Sequence, residues 1–339
     1  MNTPRFSLGL MAVASLSLAS CGERAPTTFP DSPNGTMTTL AKELNSGNAR
    51  VLWDALPNGY QKDVSDLVHS FGKSMDAEVH QKLFGALRSA LDLAAEKKSI
   101  AIEMAKGMGL ESDNLKKLEA QYGSIVALLK EAAESDLADA KKVASLDLAS
   151  FLGGEGSSLF SKFQKVASAW GDDNPLARLA KMEFKAGEEV NGVVPVEAWV
   201  DGKVDGPAAP FKKVDGKWFF ADLANDWPEM MKEAKGRIAK LDLSKDKKQI
   251  LDSLGKLEEL IVKLKPAKTA KDVQQIAMSS VMDFLPAMGF LGKSGFRMHD
   301  RPAVPVQQPK LIEAKKDAVK GLKKDAMKGL KKGMKKAPK

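Results

Sequence analysis

Four turn dipeptides constrain the fold of this chain more than any other feature: Asn191-Gly192, Asp201-Gly202, Asp205-Gly206 and Asp215-Gly216. Asn and Asp tolerate the positive φ angles of two-residue hairpin turns, and Gly adopts them without a steric penalty. Short runs of strand-like composition separate them: Lys181 to Glu189, Val193 to Val200, Pro207 to Val214 and Lys217 to Asp222. The spacing predicts an antiparallel meander of about four strands. Val200-Asp201-Gly202-Lys203 is echoed by Val214-Asp215-Gly216-Lys217, a repetition that turn chemistry explains.

On both sides of this segment the apolar period is helical. Asp76 is placed to cap a helix carrying Val79, Leu83, Leu87, Ala90, Leu91 and Ala94, at steps that put an apolar stripe inward. Leu115, Leu118, Tyr122, Ile125, Leu129 and Ala132 repeat the arrangement after the Gly107-Met108-Gly109 break, and Pro57 with Asn58-Gly59 marks another helix start. Residues 37–170 are therefore expected to form a bundle of five to seven helices, with Gly153 to Gly156 as a hinge between two of them. Residues 171–290 hold the meander and further helices. Ile250, Leu254, Leu257, Ile261 and Leu264 alternate steps of four and three; two heptads are too few for a coiled coil, and packing onto the helical body is expected instead. Val273 to Met288 makes one more apolar stripe. The expected class is α+β and predominantly helical, an N-terminal bundle followed by a short meander, more helices and a basic tail.

The chain begins with one cation, Arg5, and an apolar run from Phe6 to Ala19 that ends in small residues before the only cysteine, Cys21. This is the layout of a secretory signal peptide over residues 1–20, and the run is too short to span a bilayer, which takes about 20 apolar residues. Leu18, Ala19, Ser20 and Cys21 resemble the lipobox of bacterial lipoproteins. The resemblance implies diacylglyceryl transfer to the Cys21 thiol, cleavage before it and acylation of the new N-terminus. Gly22 in place of an aspartate then favours an outer membrane, with the protein facing the periplasm. Ordinary cleavage after Ser17-Leu18-Ala19 would leave Cys21 as a free thiol, unusual in an exported protein. A single lipidated cysteine forms no disulfide, so stability must come from a core, for which 339 residues of 43% hydrophobic composition suffice. Residues 21–36, with Pro26, Pro30, Pro33 and Gly35, are expected to be a lipid-anchored tether that stands the body off the membrane.

The C-terminus is the other feature with a purpose. A linker over residues 291–309, with Pro302, Pro305 and Pro309, leads to residues 310–339, which hold twelve lysines against Glu313, Asp317 and Asp325, a net of +9. The whole chain sums to +8 and Arg5 lies in the leader, so residues 22–309 are left at −2 and the basic character belongs to the tail. Asp317 to Lys324 is followed by Asp325 to Lys332 as a tandem octapeptide. As a helix it sets Val319, Leu322, Met327 and Leu330 opposite Lys315, Lys316, Lys320, Lys323, Lys324, Lys328, Lys331, Lys332, Lys335 and Lys336. Gly321, Gly329 and Gly333 each cost such a helix about 1 kcal/mol, so a surface or partner must stabilise it. The expected partners are anionic lipid, an acidic wall polymer or an acidic protein. Nucleic acid is disfavoured because the tail has no aromatic residue for stacking. A solvated tail without a partner is the bland alternative.

Several patterns mimic chemistry and fail on spacing. Gly292-Lys293-Ser294 lacks the first glycine of a phosphate loop, since Ala287 stands there. Asp201 and Asp205 open a calcium-like loop, but Lys203 and Lys212 occupy ligand positions. His69, His80 and His299 have no histidine or cysteine at metal-ligand spacing, and no nucleophile elbow occurs. No catalytic residue, metal or cofactor is assigned. Trp53, Trp170, Trp199, Trp218 and Trp227 are expected mainly in the core. Phe211-Lys212-Lys213-Val214-Asp215-Gly216-Lys217-Trp218 resembles the late hairpin of NTF2-like domains, which implies helices on an antiparallel sheet around a ligand pocket; the helical stretches on either side depart from that fold. Two functions follow as expectations. The first is a non-catalytic, lipid-anchored envelope protein that binds or scaffolds. The second is an NTF2-like ligand-binding or enzymatic unit, with a pocket lined by Trp199 and Trp218.

Overall fold

The computed structural model describes residues 23–169, 174–240 and 246–280. An irregular arm from Glu23 leads to α1 (Pro33–Asn45), where the Ser32 hydroxyl accepts from the Gly35 amide and Pro33 supplies the first helical residue. Then come α2 (Arg50–Asp54), α3 (Asn58–Ser74), α4 (Ala77–Glu96), α5 (Lys98–Gly107) and α6 (Ser112–Glu134). A single 3₁₀ turn at Asp136–Ala138 precedes α7 (Ala140–Val143), α8 (Leu148–Gly153), α9 (Glu155–Ser168) and α10 (Pro175–Ala180). Helices are more numerous before residue 170 than the apolar period predicts. The extra ones are one or two turns long, and side-chain caps start two of them: Asp139 accepts from the Lys141 amide, and Asp147 from those of Ala149 and Ser150. Asp76 caps α4 as its position suggested, accepting from Glu78 and Val79.

The sheet comprises β1 (Met182–Ala186), β2 (Val193–Val200), β3 (Lys203–Val204), β4 (Ala209–Val214) and β5 (Lys217–Phe220), in the order β1-β2-β4-β5 with β3 also beside β2. Asn191, Asp201 and Asp215 have φ of 53°, 51° and 50°, and each is followed by a glycine at positive φ, so all three pairs turn the chain tightly. Asp205-Gly206 differs. There only the glycine is at positive φ, and the Asp205 amide bonds to the Ala198 oxygen at 2.7 Å. It therefore interrupts the strand opposite β2 and does not reverse it, because β3 and β4 lie on the same edge. The result is helix-dominated α+β with a small curled meander, followed by α11 (Ala221–Ala239) and α12 (Lys247–Leu264). Residues 270–280 are helical again, started by a reciprocal cap in which Thr269 and Asp272 each accept from the other's amide.

Register decides which side of the sheet is core. Val194 faces Phe211, and Phe211 faces Phe220; Phe211 is 2% exposed. On the opposite register face Phe219 meets the Tyr60 ring edge-on at 5.3 Å, and Tyr60 stacks on Trp227 at 4.1 Å. This cluster joins β5 to α3 and α11. The α12 helix packs along α4 through buried Leu254 and Ile261, with Lys82 to Glu258 at 2.8 Å and Lys247 to Glu78 at 2.7 Å flanking the contact. That is the partner the heptad-like spacing lacked.

Two expectations are corrected. On α4 the buried line is Val79, Ala86 and Leu91, while Leu83 and Leu87 are 44% and 41% exposed. Two helices, α6 and α12, pack on α4, and burial follows where they lie and not the periodicity alone. Leu129 of α6 is likewise 48% exposed, with Val126 and Ala133 inside. The tether expected over residues 21–36 is not free either: from Glu23 onward it lies against the body, and α1 already begins at Pro33.

Candidate functional site

The docked arm builds the most elaborate polar site among the described residues. At its start, Arg50 of α2 reaches out with a side chain only 10% exposed. Its Nη1 donates to Glu23 Oε1 at 2.7 Å and to the Arg24 carbonyl at 2.9 Å. Its Nε lies 3.5 Å from Asp54 Oδ1 without a hydrogen bond. The Arg24 amide donates to the Gly153 oxygen at 3.1 Å, and the Arg24 guanidinium to the Ser46 oxygen at 3.2 Å. A Cβ on Gly153 would sit 2.9 Å from Glu23 Cγ, so the bare end of α8 is what admits the arm.

Further along, the Thr27 amide donates to Asp54 Oδ2 at 2.8 Å. Asp31 accepts from the Trp218 indole at 3.2 Å and from Lys213 at 2.7 Å. The lysine hydrogen bond, foremost, holds the Asp31 carboxyl below the usual carboxylate range. Between arm and body remains a cleft of about 380 Å³, lined by Phe29, Pro30, Asp54, Lys217 and Trp218 among others. Lys217 Nζ donates to the main-chain oxygens of Asp54 at 2.8 Å and Leu56 at 2.7 Å. Burial pushes this lysine down from its ordinary pKa, against the pull of Asp54 and Asp215. Asp215 Oδ2 accepts from the Gly59 amide at 2.8 Å, satisfying an orphan donor in the first turn of α3. Three side chains of the Asp215-Gly216-Lys217-Trp218 hairpin thus make a fold-holding contact: Asp215 starts α3, Lys217 closes α2, Trp218 pins the arm.

The second cleft, about 490 Å³, lies between Arg24, Glu131, Gly153 and the first turns of α9. Its serines are engaged: Ser157 donates to the Leu152 oxygen and accepts from the Ala49 amide, and Ser158 donates to Glu131. Neither described histidine pairs with a serine. His69 Nε2 bonds the Leu146 oxygen at 2.9 Å. His80 is 4% exposed and packs on Phe84 at 4.7 Å; burial lowers its pKa, opposed by a hydrogen bond to the Ala138 backbone. Among the described residues no group of three or more His, Cys, Asp or Glu is arranged to hold a metal ion.

The tryptophans do not assemble as the pocket expectation required. Trp199 pairs with Glu183 in the register and Trp218 with Lys213, which places them on opposite faces of the sheet. Trp199 lies under the Lys185 ammonium at 3.6 Å and donates to Glu197. Of the four described tryptophans only Trp227 is buried, its indole donating to Asp63 at 3.1 Å. Trp170, Leu18, Ala19, Ser20, Cys21 and the whole lysine tail from 310 to 339 lie outside the described residues. Sequence reasoning missed the hub: the i,i+4 spacing of Arg50 and Asp54 is its one local signal, and Lys217, Glu23 and Arg24 are brought to it only by the fold. No described helix is long and apolar enough to cross a membrane. The chain matches no family model, no curated protein and no solved structure in comparison.

Proposed function

We propose that this chain is a lipid-anchored envelope protein of non-catalytic binding or scaffolding type, acylated at Cys21 and exported to the periplasmic face of an outer membrane. Its basic tail contacts an anionic surface or polymer. The observation that carries the reading is the adjacency of Leu18-Ala19-Ser20-Cys21 to an arm that joins the fold at Glu23. The polar groups of both clefts support it, since Arg50, Asp54, Lys217 and Ser157 are all engaged in holding arm and helices together. Two acyl chains already anchor a protein stably, at roughly 0.8 kcal/mol per buried methylene. The tail is then free to engage a second anionic surface, at about 1 kcal/mol per lysine near it.

Mass spectrometry of the tryptic N-terminal peptide ending at Arg24 tests the anchor: an acylated Cys21 at its N-terminus is expected, and an unmodified or differently cut peptide would refute the reading. Co-sedimentation of the chain, whole and truncated after residue 309, with anionic vesicles at rising salt tests the tail. The whole chain should bind more tightly at low salt and lose that advantage as salt rises.

The cleft beside Trp218 and Lys217 favours a second reading, an NTF2-like ligand-binding or enzymatic unit carried on the same anchor. Its test is a thermal-shift screen of small anions against the chain and its Trp218→Ala variant; stabilisation lost in the variant would support it.

A further inference from the structure

We infer that the anchored protein sits on the bilayer without slack, and that the surface formed by the docked arm, the end of α8 and the first turns of α9 is the face apposed to the lipid headgroups. This rests on acylation of Cys21, the reading proposed above, and adds an orientation that acylation alone does not imply.

The argument is one of reach. A free tether from residue 21 to residue 36 would behave as a flexible coil with an end-to-end distance of roughly 20 Å and leave the body free to tumble. The arm is instead held from its second residue after the cysteine. Glu23 is paired to Arg50, the Arg24 amide is bound to the Gly153 oxygen and the Arg24 carbonyl to Arg50 Nη1. Two residues of fully extended chain span at most about 7 Å. Whatever surrounds Glu23 must then lie close to the headgroups.

That surroundings has a composition suited to the place. Arg24, Ser158 and Ser161 share one cleft with Gly153. On α9, Lys165 is exposed and lies two helical turns after Ser158 on the same side of the helix. A cation on the helix side that carries the cleft serines fits the interfacial layer, where lysines extend to phosphate. The carboxylates of this face are already engaged: Glu131 by Lys162 and Ser158, Glu155 by the Asp136 amide.

The test compares two full-length acylated proteins in vesicles containing a lipid with a nitroxide-labelled headgroup. Both carry a fluorophore on Ser158→Cys, an exposed position of the cleft; one also has a flexible Gly/Ser segment inserted between Gly22 and Glu23, outside the folded body. Quenching should be strong in the first and fall about three-fold or more with an insert of about 20 residues, which lets the body swing away. Equal quenching in the two, with Cys21 acylated in both, would overturn the orientation and leave the anchor standing. An unacylated N-terminal peptide from the same samples would overturn both.

Discussion

Lys217 and Asp54 meet across 163 positions of sequence, the ammonium of one 2.8 Å from the main-chain oxygen of the other. The same Nζ donates to Leu56 O, so a hairpin lysine closes the C-terminal end of α2, a helix too short to satisfy its own last carbonyls. Lys217→Met keeps the apolar stem and leaves these oxygens without their donor. The expected loss is about 1–3 kcal/mol, seen as a lower urea midpoint at unchanged slope. An unaltered midpoint would mean that water replaces the ammonium without cost.

Arg50 ties Glu23, Arg24 and Asp54 into one hub. Arg50→Ala should destabilise the body by about 2–4 kcal/mol, because Asp54 keeps a carboxylate that is only 10% exposed and loses its charge partner. The arm should also come loose. Limited trypsin digestion reads this directly, as faster cleavage after Arg24 in the variant under native conditions.

Gly72 lies where α3 crosses α7, and a Cβ there would stand 2.4 Å from the Ala144 nitrogen. The obstacle is backbone, so the helices must move apart to admit a methyl group. Gly72→Ala gains helix propensity of about 1 kcal/mol and should still lose about 1–3 kcal/mol net. Gly85→Ala, in α4 with open space at the same point, serves as the control and should stabilise. Thermal unfolding of the two variants checks the opposite signs.

His80 titrates with a pKa lowered by burial. In the unfolded chain it takes up a proton near its ordinary value of 6.5, whereas in the folded state it resists protonation to lower pH. The unfolded state therefore binds more protons in that window, and stability falls as pH drops below the unfolded value. Urea midpoints from about pH 7.5 to about pH 5.5 should decline in the parent chain and decline less in His80→Gln. Parallel profiles would remove His80 as the source.

Asp63 works in the acid range. Hydrogen bonds from the Trp227 indole, then from Lys235, hold its pKa below 3.8. Its contribution is complete above that unfolded value and is lost as pH falls through the folded one. Asp63→Asn should lower stability at neutral pH and flatten part of the acid unfolding curve, measured by far-UV circular dichroism.

Turns and caps were legible in the sequence because their causes are local. Asn191, Asp201 and Asp215 adopt positive φ through the preferences of one residue and the glycine after it, and Asp76 caps α4 through amides two and three residues away. Asp205-Gly206 has the same composition and does something else, since the pairing of β3 and β4 with one edge of β2 overrides the dipeptide. Which apolar residues of α4 are buried was likewise decided by the neighbours that pack on it.

The Leu18-Ala19-Ser20-Cys21 motif and the charge of the tail belong to the sequence alone, for both are carried by consecutive residues and need no fold to exist. What only the tertiary structure decided is that the proline-containing stretch from Glu23 onward is bound and not a tether. Pro26 and Pro30 disfavour a regular element before α1 without saying whether the chain is bound, whereas docking depends on Arg50 and the Gly153 carbonyl being presented from elsewhere in the chain. Local preferences act over a few residues, and those partners acquire their positions only when the helices that carry them have packed.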